Sequence, residues 1–135
     1  MNNPDCIFCK FATKEINPSQ IIYEDTDCLA FLDINPVHEG HTLLIPKGHY
    51  ENMSATPRDM IGILFQKAQD LMPKIKQGTS ADFVVLTVVG TDIPHFHIHL
   101  IPRFTNDGLA RFWPAKKYES NEVMKKIAER IRELM

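Results

Sequence analysis

The chain has 135 residues, 44% of them hydrophobic, and a formal net charge of −2. That length fits one ordinary domain with a single core, so residues 1–135 are read as one domain. The 15 basic residues are scattered rather than gathered into a stripe, which argues against a nucleic-acid partner.

The opening, "MNNPDCIFCK", lacks the basic start and long apolar run of a signal peptide, and nothing in the chain approaches the roughly 20 apolar residues that span a bilayer. The expectation is a cytoplasmic protein with no membrane partner. "CIFCKFATKE" can hold a short helix. "QIIYED" and "CLAFLDI" read as two strands of a hairpin around the charged break from Glu24 to Asp27. Pro36 and Gly40 mark the next turn, and "HTLLIP" follows as a third strand. Thr56 reads as an N-cap, with Pro57 at the first helical position and Asp59 near the positive helix end. Met60, Ile61, Leu64, Ala68, Leu71, Met72 and Ile75 recur at helical spacing, defining a main amphipathic helix that Pro73 bends or ends. "DFVVLTVVG" has the nearly continuous apolar run of a central strand, and "HFHIHLIP" is a fifth strand. From Ser120, the residues Val123, Ile127, Ile131 and Leu134 lie on one side of a terminal helix. Strands joined by tight turns, with helices inserted as blocks, give an α+β class with a five-stranded antiparallel sheet.

On a strand, the period of two sends His95, His97 and His99 to one face, with neighbouring imidazoles roughly 6.6 Å apart, and Phe96, Ile98 and Leu100 to the other. A wet strand face has no need of three histidines in register, since threonine or lysine would serve as well. Two chemical uses compete. Three neutral nitrogens can hold a catalytic zinc with one position open for water, or an imidazole can act as nucleophile and leaving group.

Three cysteines, Cys6, Cys9 and Cys28, are too few and of the wrong parity for a disulfide framework. Cys28 lies in an apolar run and reads as core. Cys6-x-x-Cys9 suits a metal better than redox chemistry, because the preceding strand of a thioredoxin-like unit is missing. A structural zinc needs four ligands. His49 and one triad histidine would complete the set, leaving two imidazoles for chemistry.

The run His95-Phe96-His97-Ile98-His99-Leu100-Ile101 resembles in full the His-x-His-x-His-x-x signature of the histidine triad (HIT) family of nucleotide hydrolases and transferases. "CIFCK", "YEDTDCLAFLDINPVHEGHTLLIPKGHYENM" and "HLIPR" are similar to segments of its bacterial zinc-containing members, so the likeness covers Cys6 to Arg103. It implies a homodimer with a continuous ten-stranded sheet, catalytic roles for His97 as nucleophile and His99 as donor to phosphate oxygens, and zinc on Cys6, Cys9, His49 and His95. It also implies that Asp33 meets the ribose while Ile7, Phe8 and Ile34 flank a purine base such as that of AMP. Core packing for the apolar residues and a turn cap for Asp33 stand as the competing assignments.

Many members carry Gly-Gln-Ser/Thr before the triad, whereas this chain reads Gly90-Thr91-Asp92-Ile93-Pro94. Thr91 and Asp92 thus occupy the phosphate-binding positions. An anion beside phosphate is unfavourable unless it points away or bonds a neighbour, which leaves the backbone N–H as the expected contribution of Asp92. His38 reads as solvated and His41 as a structural hydrogen-bonder, Lys47 and Arg103 as solvated charges, and Trp113 as a residue of a dimer interface or of the site mouth. The resemblance implies phosphoramidase activity at the α-phosphate. Dinucleoside polyphosphate hydrolysis and a nucleotide-binding module with little turnover stand as alternatives.

Overall fold

The computed structural model describes residues 2–17, 20–109 and 115–135, so Trp113 lies outside the described residues. Two compact units are formed, Met1–Thr105 and Asn106–Met135.

In the first unit the chain runs α1 (Ile7–Ala12), β1 (Ile21–Glu24), β2 (Cys28–Leu32), β3 (Thr42–Pro46), α2 (Arg58–Thr79), β4 (Phe83–Thr87) and β5 (Ile98–Arg103). All pairings are antiparallel, in the order β1-β2-β3-β5-β4. Alternation along the strands supplies two cores rather than one wet and one dry face. Cys28, Ala30, Leu44, Ile98 and Leu100 meet Leu64, Ala68, Leu71 and Ile75 of α2. From the opposite face, Leu29, Phe31, Leu43 and Ile45 meet Cys6, Phe8 and Cys9. Cys28 is wholly buried, as its apolar setting suggests, and burial pushes its thiol up to about 12.

Several local expectations are corrected. Thr56 does not cap α2: its hydroxyl donates to the Asn52 carbonyl at 2.8 Å, closing a 3-10 turn at Met53–Ala55. Pro57 becomes the N-cap, and Asp59 sits in the first turn as expected. Pro73 does not end the helix, which continues to Thr79 and stops at left-handed Ser80, φ 57°. The apolar run at β4 is not central. It lies at the sheet edge, with Phe83 43% exposed, because only β5 flanks it while α2 covers Val84 and Leu86 on one side. Arg103 is buried and rests over the Phe83 ring at 5.7 Å, and Lys47 lies 3.7 Å from Glu24. His38 is half-buried and meets Phe104 edge-on, with ring centroids 5.4 Å apart.

Close approach demands glycine at position 40. Its φ is +94°, and a Cβ there would collide with the Thr79 methyl. In the second unit, α3 (Asn121–Leu134) starts where the Ser120 hydroxyl accepts the Val123 N–H at 3.2 Å.

Candidate active site and metal-ligand cluster

The three triad imidazoles share the α1 face of the sheet, although only His99 lies within β5; His95 and His97 precede it in a tight segment where the His95 N–H donates to the Ile93 carbonyl. All three are buried, at 0%, 3% and 7% exposure, so they do not form a solvated strand face. Phe8 packs edge-on against His95 and His97, at centroid distances of 5.8 and 5.3 Å.

His95 turns toward the cysteines. Its Nε2 donates to the Pro46 carbonyl at 2.9 Å, which leaves Nδ1 bare, 3.4 Å from Cys6 Sγ and 3.5 Å from Cys9 Sγ. His49 Nδ1 lies 3.2 Å from Cys9 Sγ. Cys6 is the N-cap of α1 and Cys9 lies one turn on, so both thiols share a face. The Phe96 N–H donates to the Tyr50 carbonyl at 2.7 Å, fastening the His49 segment beside the triad. The four ligand atoms lie within 4.8 Å of one another and could hold a metal ion. Burial, aided by nearby His49 and His97, holds the His95 imidazole down at about 4 against the Pro46 bond, so it is neutral at pH 7. Burial also raises the Cys9 thiol, against the Asn3 N–H bonded to its sulfur.

His97 and His99 face a different space. His97 Nδ1 donates to the His95 carbonyl at 2.7 Å, which leaves Nε2 as the nitrogen available to other groups. A relay orients His99. The Val37 N–H donates to His41 Nδ1 at 3.1 Å, so neutral His41 carries its proton on Nε2 and donates to His99 Nδ1 at 2.9 Å. His99 therefore presents Nε2–H, a buried donor with no hydrogen-bond partner among the described residues. Burial pushes both His41 and His99 down; His97 and His41 add to the effect at His99, while Asp33 opposes it at both. His41 is thus the structural hydrogen-bonder its sequence setting suggests, and its partner His99, 58 positions away, brings it to the site. Asp33 and Asp92 each form a three-residue cluster with two of these histidines. The relay nevertheless leaves His41 Nε2 and His99 Nε2 as donors. No cluster among the described residues joins His95 to His97 or His99, which removes the three-histidine zinc arrangement.

Beside this pair lies a cleft of about 370 Å³, within the range of small-ligand sites, lined in part by Ile7, Phe8, Asp33, Ile34 and Asp92. Phe8 is 4% exposed and packs in the core as well, Ile34 is 80% exposed, and Thr91 is exposed and absent from the cleft lining. Asp33 Oδ1 accepts the Asn35 N–H at 2.9 Å, a turn cap, and Oδ2 lies 3.8 Å from His41 Nε2. Asp92 takes the second of its two expected arrangements and bonds a neighbour: its carboxylate turns inward, onto His97 Nε2 at 3.1 and 3.2 Å, a contact in which Nε2–H is the donor. No triad imidazole lines this cleft directly; it meets His97 through Asp92 of its lining, whereas a larger concavity of about 850 Å³, lined by residues including Leu71, Lys74, Ile75 and His38, includes neither a triad histidine nor Asp92.

The family model described as "HIT domain" matches residues 14–106. The chain belongs to the HIT family. An uncharacterized HIT-like protein of Methanocaldococcus jannaschii is 37% identical, over 90% of this chain and 98% of its own length. An adenosine 5′-monophosphoramidase of Saccharomyces cerevisiae is 35% identical over 89% of this chain and 77% of its own. An adenylylsulfatase of Arabidopsis thaliana is 39% identical over 78% and 55%, respectively. Among solved structures, a HIT family protein from Bacillus anthracis superposes with a TM-score of 0.83 at 34% identity, each chain 98% covered. A zinc-bound histidine triad family protein from Mycobacterium smegmatis gives 0.74 at 26% identity, covering 97% of this chain and 98% of its own. The five-stranded antiparallel HIT sheet is thus shared.

Proposed function

We propose that this HIT protein is a nucleotide hydrolase that cleaves nucleoside phosphoramidates, or related nucleoside 5′-phosphoryl compounds, to the nucleoside monophosphate through a nucleotidyl-His97 intermediate. The observation that carries the reading is the commitment of His97 Nδ1–H to the His95 carbonyl at 2.7 Å, with Nε2 turned to Asp92, a residue of the cleft lining. Asp92 must yield that nitrogen to the substrate.

A purine would enter between Ile7, Phe8 and Ile34, its ribose hydroxyls donating to Asp33 and its phosphoryl group lying near Thr91 and the triad. His97 Nε2 would attack the α-phosphorus, and charge developing on the non-bridging oxygens would meet the His99 Nε2–H held by His41. Water would then attack the phosphorus of the nucleotidyl-histidine, returning the imidazole and releasing a product such as AMP. The yeast phosphoramidase and the plant adenylylsulfatase, both relatives of this chain, support such chemistry.

The Cys6, Cys9, His49 and His95 cluster fits zinc: the 3.2–3.5 Å sulfur–nitrogen separations approach the edge of about 3.5 Å expected for a tetrahedral S₂N₂ zinc site. When bound, zinc would supply a structural cross-link between α1 and the triad segment. A homodimer through β4 is supported by its apolar edge, where β1, the other edge of the sheet, is interrupted by a bulge between Ile21 and Tyr23.

Release of AMP from adenosine 5′-phosphoramidate by the unmodified protein and by folded His97→Gly tests the reading. Multiple turnovers lost in the variant are expected. Tight AMP binding without turnover would instead favour the binding-module reading, which the Asp92 contact with His97 supports; a higher kcat/KM for diadenosine tetraphosphate would favour polyphosphate hydrolysis.

A further inference from the structure

Asp92 had solvent available to it, since its side chain is 46% exposed, yet both carboxylate oxygens lie against the buried His97 Nε2, at 3.1 and 3.2 Å. Oδ2 is also 4.0 Å from His99 Nε2, beyond hydrogen-bond reach. A planar anion with two oxygens is thus set before the same two nitrogens that a phosphoryl group would address.

We propose that Asp92 is the specificity-determining residue of this site: its carboxylate occupies the phosphoryl subsite of the free protein, and once displaced it selects for uncharged amine leaving groups over anionic ones. The inference rests on the nucleotidyl-transfer reading. Pushed off His97 by an incoming α-phosphoryl group, the carboxylate is tethered by a short side chain and stays within a few ångströms of the reacting phosphorus. In a half-buried cleft, such neighbouring like charges interact more strongly than in bulk water. A phosphoramidate presents nitrogen there. As Asp92 is displaced, the Nε2–H proton of its contact passes to solvent; attack by the freed His97 Nε2 then forms the N–P bond as the substrate P–N bond breaks, and the electron pair goes to the departing nitrogen, which takes a proton back from solvent and leaves as a neutral amine. A sulfate or polyphosphate departs with its negative charge, beside an aspartate that repels it. Amines also receive a hydrogen-bond acceptor in the carboxylate, which sulfate and polyphosphate cannot use. Serine or asparagine in this position would impose no such charge.

The test compares the unmodified protein with Asp92→Asn and Asp92→Ser, each checked for unchanged thermal unfolding. By calorimetry, removing the charge should tighten AMP binding at least tenfold while adenosine binding changes less than twofold. In steady-state assays, the kcat/KM ratio of adenosine 5′-phosphoramidate to adenosine 5′-phosphosulfate should fall at least tenfold. Unchanged or weaker AMP binding in both variants would overturn the subsite occupancy. Tighter AMP binding with the ratio constant within threefold would overturn the leaving-group selection. If no protein turns over either substrate, the nucleotidyl-transfer reading fails and the selection with it, while the AMP and adenosine affinities still decide whether Asp92 fills the phosphoryl subsite.

Discussion

Replacing His41 by alanine isolates the relay from the nucleophile. His41 receives the Val37 N–H at 3.1 Å and donates to His99 Nδ1 at 2.9 Å, and so places the His99 proton on Nε2, where a phosphoryl oxygen would accept it. Loss of one preorganised donor to a developing oxyanion costs about 10²- to 10³-fold in kcat. His99 keeps its ring in His41→Ala and can still reach the productive tautomer with water at Nδ1, so a smaller loss of about 10- to 100-fold is expected, or roughly 1.4–2.7 kcal/mol of barrier. KM should change little, because the interaction strengthens in the transition state. His41→Gln keeps an N–H at similar reach and should stay within about fivefold of the unmodified protein, on the same hydrogen-bond reasoning. The assays are steady-state AMP release and nitrogen-15 NMR of the imidazoles. The NMR should find His99 as the Nε2–H tautomer in the unmodified protein and a tautomer mixture in His41→Ala. An Nδ1–H tautomer in the unmodified protein, or an alanine variant with kcat within twofold, would refute the relay.

Three further outcomes follow from the same geometry. Chelation, or Cys9→Ala, should lower the thermal midpoint with loss of about one zinc per chain, and added zinc should restore only the unmodified protein; an equally stable chelated protein would contradict a structural metal. Metal-depleted protein should lose stability as pH falls. His95 titrates near 4 in the fold against 6.5 in the unfolded chain, so the unfolded state takes up the proton first, and stability present above pH 6.5 erodes below it by about 2 kcal/mol at pH 5. The lowered His41 and His99 act in the same direction, and urea midpoints at pH 7.5 and 5 that coincide would contradict all three. Asp33→Asn should raise KM about tenfold for a ribonucleotide phosphoramidate and much less for its 2′-deoxy counterpart, as expected when a charged hydrogen-bond acceptor is lost; equal effects on both would remove Asp33 from the ribose contact.

Much of this site is written in local spacing. The alternate spacing of His95, His97 and His99 foretells their common face, although only His99 lies within β5, and Cys6 and Cys9 meet because an N-cap and the residue one helical turn on share a side. What spacing does not encode is the identity of distant partners. His41 sits in a turn and reads as a local bonder until β3 pairs with β5 and brings it to His99. Asp92 keeps a side chain 46% exposed, so its sequence setting gives no sign that its carboxylate meets the buried His97 nitrogen at 3.1 Å. The apolar run at β4 reports that its residues pack well, not how many strands flank it, so an edge strand looked central. Thr56 has the right residue type for a helix cap, but the neighbouring Asn52 carbonyl captured its hydroxyl first.

The central claim is a covalent bond between phosphorus and His97 Nε2. Rapid mixing with adenosine 5′-phosphoramidate labelled in the phosphoryl group, quenching in alkali and peptide mapping would test it most directly. The account predicts label on His97 during turnover, absent from His97→Gly. Steady AMP release with no labelled histidine at any time, or label on another residue, would contradict it.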